Sequence, residues 1–369
     1  MNGTYGSTAQ DDAAAFMRAL HTEVGSPVDL QWNGSSSKPA PIRKLRYVLE
    51  QGGTVLSFSR LNTLHTCARK FQLAELLNLK QFTPSAHTAF GHAFAAGAQE
   101  YLAARSRGMC TEDARALAFV CAVAAWDMEN LWARDKGGSK CIERALLGVD
   151  RFIATEAEQL LEHYEVAQFA DRQAVELFFF LRLPNGYSFQ GHIDLVLRNR
   201  ETGELVVLEI KTEGGAFNIA KWSNSAQALG YNCILNAHGM ITGAQAAYHV
   251  LYLHFDTVNL DFTLAPFSKP LSVSSEWLTS LLLEVQMLEL YKEYGVYPKD
   301  GNACFEWKRN CEFYGTCDLT SMQHMGRGES AYENLDIDEV DIVCDAETML
   351  QYFTQQEVIL YGEHADIQA

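Results

Sequence analysis

The chain has 369 residues, 48% of them hydrophobic and 11% aromatic, enough apolar material for one large core or two modest ones. Its nine cysteines do not suit the disulfide framework of a small secreted protein, and they read as reduced thiols or metal ligands. No basic segment followed by an apolar run opens the chain, and no stretch of about 18 uncharged apolar residues occurs, so a soluble cytoplasmic protein is expected, with no membrane partner.

The net charge of −17 would argue against a phosphate-gripping surface if it were evenly spread. It is not, because the segment from Asp318 onward carries more than half of it and has Arg327 as its one basic residue. That segment, assigned to 321–369, reads as a solvated acidic tail or a docking arm for a basic partner.

In chain order, residues 11–24 suit a short amphipathic helix and 33–41 a linker, together an N-terminal part over 1–45. A main domain is expected over 46–320. Ser57 and Ser59 are candidate N-caps for a helix that carries Leu61, Leu64, Phe71 and Leu77 at near-helical spacing, with Cys67 on it. Alanine-rich helices follow at 87–106 and 112–134, the second opened by Thr111, and a further helix at 143–169. Together the stretch 107–170 reads as a helical insertion.

The periodicity then changes. Residues 174–183, 187–198 and 205–212 are short, β-rich and separated by Pro184-Asn185-Gly186 and Glu201-Thr202-Gly203, which predicts a three-stranded antiparallel meander. A helix at 221–240, strands at 246–255 and 258–265, and a helix at 275–293 complete an α-β-β-β-α-β order. No internal repeat and no phosphate-binding loop occurs, since Gly137-Gly138-Ser139-Lys140 lacks the spacing.

Residues two apart on a strand share a face, so Glu209 and Lys211 project together from the third strand while Ile210 faces the opposite layer. An even-numbered loop after the second strand sets Asp194 opposite one or the other, and even a diagonal neighbour lies within roughly 7–8 Å. Two carboxylates meeting from adjacent strands make a hard-oxygen site suited to Mg²⁺ or Mn²⁺. Beside such an ion a lysine can orient water or balance charge during phosphodiester hydrolysis. Gln227 and Tyr231, four residues apart, share one face of the next helix and are placed to touch substrate or brace the site.

Gly191-His192-Ile193-Asp194, Glu209-Ile210-Lys211 and Gln227-x-x-x-Tyr231 resemble the three motifs of the RecB-like branch of the PD-(D/E)XK nucleases, over about residues 55–320. The resemblance implies a restriction-endonuclease-like α/β fold, a mixed sheet flanked by helices. It implies Asp194, Glu209 and the Ile210 carbonyl as ligands of Mg²⁺ or Mn²⁺, Lys211 as the catalytic lysine, and Gln227 and Tyr231 as supporting residues. The family's early helix offers a histidine four residues after a glycine, where this chain has Ala95; His92 and Glu100 are the available substitutes, Glu100 resembling the helix glutamate of phage-type exonucleases.

Cys304, Cys311 and Cys317 fall within fourteen residues, a density unusual for core packing, and such thiols call for a soft or borderline metal and a fourth ligand, for which Cys67 is the candidate. One cysteine before the nuclease core and three after it resembles the iron-sulfur members of the group, AddB-type subunits and CRISPR-associated exonucleases, and implies a [4Fe-4S] cluster held by Cys67, Cys304, Cys311 and Cys317. Zn²⁺ or an empty reduced site are the alternatives. Cys110, Cys121, Cys141, Cys233 and Cys344 show no ligand spacing. Arg69, Lys70, Lys308 and Arg309 would bring positive charge near the cysteines as a local phosphate patch.

The expected protein is a DNA exonuclease without sequence specificity, acting on single or double strands in recombination, repair or CRISPR adaptation, beside a single-strand annealing protein, a helicase or an adaptation partner. A non-catalytic nuclease-fold scaffold or DNA-binding subunit is the alternative.

Overall fold

The computed structural model describes residues 54–79, 85–126, 140–169, 172–242, 246–270, 272–306, 309–318, 342–346 and 349. The helix expected at 11–24, the linker, Lys308 and most of the acidic segment lie outside them.

The fold is a mixed α/β layer structure built on one sheet. Strands β5 (Val175–Arg182), β6 (Ser188–Asn199) and β7 (Leu205–Glu213) form the expected antiparallel meander, with bounds within a residue of those read from the pattern. Strand β8 (Ala246–Asp256) joins β7 in parallel and β9 (Asp261–Ser268) joins β8 antiparallel. Short β1 (Val55–Leu56) runs parallel beside the start of β6, and β2 (Tyr164–Val166) pairs with its end. Residues Leu205 to Ile210 of β7 are all buried, as expected of a strand covered on both faces.

One face carries α8 (Ala226–Thr242) and α9 (Ser272–Tyr294), where Tyr231, Trp277 and Leu281 close over Leu177, Phe179, Ile193 and Val207. The other carries α3 (Ala86–Ser106), α4 (Thr111–Ala125) and α5 (Ile142–Phe152), where Phe90, Phe94 and Phe152 pack on Leu195, Leu208, Leu253 and Phe255. The helices read as an insertion therefore share a core with the sheet.

Several boundaries differ from the sequence reading. The first helix is broken at Cys67, whose extended backbone (φ −165°, ψ 114°) ends α1 (Phe58–Thr66) and caps α2 (Ala68–Phe71), after which the chain loosens into a π turn over Gln72–Leu76. Ser57 is the N-cap of α1, accepting from Arg60 N–H at 3.3 Å, while Ser59 lies inside the helix. Cys110, not Thr111, precedes α4 at the capping position. The helix expected to 169 stops with α6 (Glu158–His163), because Tyr164–Val166 gains a ladder with β6. The helix expected at 221–240 is two helices, α7 (Ile219–Ser223) and α8.

The sequence reading placed no strand in the acidic segment. Within the acidic segment, Ile342–Asp345 adds to the sheet in parallel beside β5, pairing Ile342 with Phe179 through Asp345 with Arg182, and Cys344 is buried in the α8–α9 core. It is strand β12 of the chain, after the small hairpin β10 (Phe305–Glu306) and β11 (Arg309–Asn310); a second two-stranded ribbon pairs β3 (Gln168–Phe169) with β4 (Arg172–Gln173).

Candidate active site

The β6–β7 ladder pairs Leu195 with Leu208 through Arg198 with Leu205, and one further step sets Asp194 opposite Glu209. Beyond that step the strands part, and the Ile210 N–H donates to the Asp194 carboxylate at 3.0 Å instead of to backbone. The parting of the two strands partway along their length leaves room for side chains that a packed ladder would exclude.

On β5 and β6 the alternation reverses at this level. Val175 and Leu195 pack toward α3–α5, whereas Leu177 and Ile193, each two residues away, pack toward α8–α9. A regular strand keeps such residues on one face. Glu176 and Asp194 stand at the reversal, opposite each other between the pairs Val175–Leu195 and Leu177–Ile193. Glu176 has φ +49°, a left-handed backbone that costs a non-glycine residue of order 1–3 kcal/mol. Gly191 of the Gly-x-x-Asp motif has a packing reason: a Cβ there would lie 2.8 Å from the Phe179 ring.

Glu209 is 1% exposed, its Oε1 lies 2.5 Å from the Lys211 ammonium, and its Oε2 has no hydrogen-bond partner. Lys211 donates to Gln227 Oε1 at 2.9 Å, and Gln227 Nε2 donates to the Tyr231 hydroxyl at 2.8 Å. Tyr231 is held edge-on by Phe58 at 5.3 Å and Phe179 at 6.0 Å. Gly230 lets α8 approach this wall, since a Cβ there would meet Phe58 and Trp277 at 2.6 Å. Asp194, Glu209, Lys211, Gln227 and Tyr231 thus form one connected group.

Charge is concentrated here. Burial raises the Glu209 pKa and Asp194 raises it further, against the lowering effect of Lys211. Burial likewise raises Asp194, opposed by Lys211 and by the Ile210 N–H. Burial works against the Lys211 ammonium, yet Glu209 and Asp194 outweigh it and the net shift is upward. Burial, with the charges of Glu209 and Asp194 behind it, lifts Tyr231 well above its ordinary value.

From α3, His92 and Gln99 reach the group. Desolvation lowers the His92 pKa while the charge of Asp194 opposes the fall. Gln99 Nε2 donates to Glu176 Oε1 at 2.7 Å and to the Asp194 carbonyl at 3.1 Å. Glu100 lies elsewhere: it accepts from Arg107 at 2.6 Å, and its charge bears on Cys121. Glu176 and Gln99 were missed by the sequence reading. The available signal was a single charged residue, Glu176, in the otherwise apolar Val175–Leu181 run.

The cysteine-bearing ends are clasped together. Cys67 Sγ accepts from Lys70 N–H at 3.5 Å; Arg69 donates through its backbone to Pro298 at 3.0 Å and through Nε to Cys317 carbonyl at 3.1 Å. Cys311 N–H donates to Cys304 carbonyl at 2.9 Å, and Cys311 and Cys317 pack on Leu73, Ala74 and Phe313. Burial raises the Cys317 pKa and the nearby Cys67 raises it further, against Lys299 and Arg69. Among the described residues all nine cysteines are free thiols, and no three His, Cys, Asp or Glu side chains form a preformed metal-ligand group. Of the remaining cysteines, Cys121, Cys233 and Cys344 are buried, Cys141 is half-buried and Cys110 is exposed.

A mixed sheet flanked by helices, with carboxylates and a lysine gathered where adjacent strands part, defines a restriction-endonuclease-like core. The chain belongs to the PD-(D/E)XK nuclease superfamily, whose family model matches residues 55–318. No curated protein matches it. Among solved structures, a candidate exonuclease from Eubacterium rectale is similar at 12% identity and TM-score 0.41, over 74% of this chain and 97% of that one. The structure of SSO0001 is similar at 14% identity and TM-score 0.23, over 63% and 84%. No described helix is long and apolar enough to cross a membrane.

Proposed function

We propose that this protein is a divalent-metal-dependent DNA nuclease that hydrolyses phosphodiester bonds from DNA ends. The observation that carries the reading is Glu209, fully buried beside Asp194 with an unpartnered oxygen, next to an ammonium fixed by two hydrogen-bonding neighbours. A buried carboxylate without a partner is costly unless a cation completes it.

The donor set fits Mg²⁺ or Mn²⁺, with Asp194, Glu209 and the Ile210 carbonyl as the groups that would hold it, and His92 within reach of Asp194. When bound, such an ion supplies Lewis acidity for the doubly charged transition state and an acidified water. Lys211, paired with Glu209 and donating to Gln227, serves as a fixed cation in the site. It holds a water or a phosphate oxygen by donating to it and balances charge as the bond breaks. Gln227, anchored by Tyr231, keeps the lysine chain aimed.

Preference for DNA ends, for DNA of either strandedness without base specificity, and for a role in recombination, repair or CRISPR adaptation beside an annealing protein, helicase or adaptation partner rests on the resemblance of the motifs. So does a [4Fe-4S] cluster, or Zn²⁺, on Cys67, Cys304, Cys311 and Cys317. The clasp between the Cys67 junction and the Pro298–Cys317 stretch supports it.

The test is cleavage of end-labelled single- and double-stranded DNA, linear and circular, with Mn²⁺, Mg²⁺ or EDTA, by wild type and Lys211→Ala. Metal-dependent loss of linear DNA that Lys211→Ala abolishes is the expected result. Cutting of circles would overturn the end requirement, and inactivity on every substrate would favour the scaffold alternative.

A further inference from the structure

The mechanism above leaves one acidic group in the site without a task. Glu176 enters from β5, opposite Asp194, at the level where both strands reverse their alternation. Gln99 holds it there, using one amide nitrogen for both the Glu176 carboxylate and the Asp194 main chain.

The charges do not balance at this point. Asp194, Glu209 and Glu176 act on one another electrostatically, and Lys211 is the ammonium that pairs with Glu209. Glu209 is almost completely buried and keeps one oxygen without a hydrogen-bond donor. Helix α3 passes the site with His92 and Gln99 on the facing side, and the positions between them, Ala95 and Ala96, bear no ligating group. A hard cation with oxygen ligands is the partner whose chemistry fits an excess of buried carboxylate.

We propose that Glu176 is the third carboxylate of the divalent-cation site, supplied by β5 where α3 contributes alanine. The inference rests on the reading of Asp194 and Glu209 as cation ligands. Among the described residues no three of these side chains form a preformed ligand group, so the assignment requires the carboxylates to close around the cation. Gln99 then serves as the hinge pin that holds the Glu176 carboxylate within reach of Asp194.

The test is calorimetric titration of the full chain with Mn²⁺, free of DNA, for wild type, Glu176→Gln and Asp194→Asn, with thermal unfolding in EDTA alongside. Glu176→Gln keeps the shape and the bond to Gln99 but loses the charge. The expected result is Mn²⁺ affinity at least tenfold weaker, with an unfolding temperature in EDTA equal to or above that of wild type. Wild-type affinity in Glu176→Gln together with loss in Asp194→Asn would overturn the third-carboxylate assignment and leave the nuclease reading intact. No Mn²⁺ binding by wild type would overturn both. Should Glu176→Gln not fold, Gln99→Met serves in its place: weakened Mn²⁺ binding supports the assignment and unchanged binding overturns it.

Discussion

Lys211 on β7 and Gln227 on α8 meet at 2.9 Å, and the contact joins the charged end of the strand to the wall of the helix. The ammonium is therefore aimed from two sides, by Glu209 at 2.5 Å and by the amide. Gln227→Ala should lower cleavage about 10–100-fold, the usual loss when a group that orients a catalytic residue is removed. Thermal unfolding should move little, and Gln227→Glu, which adds a charge beside the ammonium, should not restore the rate. Equal rates in Gln227→Ala and wild type would remove Gln227 from the machinery.

Gly191 sits beneath the Phe179 ring at a distance that no Cβ normally keeps. Gly191→Ala should cost about 1–3 kcal/mol in denaturant unfolding, because the ring has the packed α8–α9 core behind it and little space to retreat. Adding Phe179→Leu should recover part of that loss. Additive destabilisation by the two substitutions would show that the clash is relieved elsewhere.

Asp256 closes the turn after β8. Burial alone would raise its pKa, but hydrogen bonds from the backbones of Gly215, Val258 and Asn259 and from the Asn259 side chain hold it down at about 2. A depressed carboxyl contributes stability that is fully present above its ordinary value of about 4 and is lost as pH falls toward the folded value. Asp256→Ala should thus be less stable than wild type by roughly 1–2 kcal/mol at neutral pH. That deficit should narrow as pH falls from about 4 to about 2. A difference independent of pH would assign the effect to packing.

Protein purified without oxygen should carry iron and acid-labile sulfide if the four cysteines hold a cluster, and Cys67→Ser should lose both. Zinc in their place would settle the alternative metal. Wild-type protein with neither would leave the clasp between Cys67 and the Pro298–Cys317 stretch to hydrogen bonds alone.

The carboxylate and lysine group was legible because it depends on local rules. Alternation of two along β7 and a hairpin between β6 and β7 suffice to bring Asp194, Glu209 and Lys211 together, and helical spacing adds Gln227 and Tyr231. What was not legible depends on departures from those rules. Glu176 reaches the site through a left-handed residue inside a strand, which alternation cannot express. Gln99 and Glu100 differ by one step around a helix, and which of them faces Asp194 is set by the rotation of α3 on the sheet, which local spacing does not express. The end of the long helix at His163 was hidden because Tyr164–Val166 owes its strand to a partner more than thirty residues later.

Strand β12 was obscured in the same way, by acidic neighbours around a short apolar core. Its place beside β5 changes what the acidic segment is for. The backbone groups along one side of Phe179–Arg182 are answered by it, and Cys344, Ala346 and Met349 lodge in the core below. A chain ending at Cys317 would keep every proposed catalytic group yet bare an aromatic strand edge, the kind of surface that recruits other strands. The segment that looks dispensable by charge acts, through Ile342–Asp345, as the selvedge of the sheet.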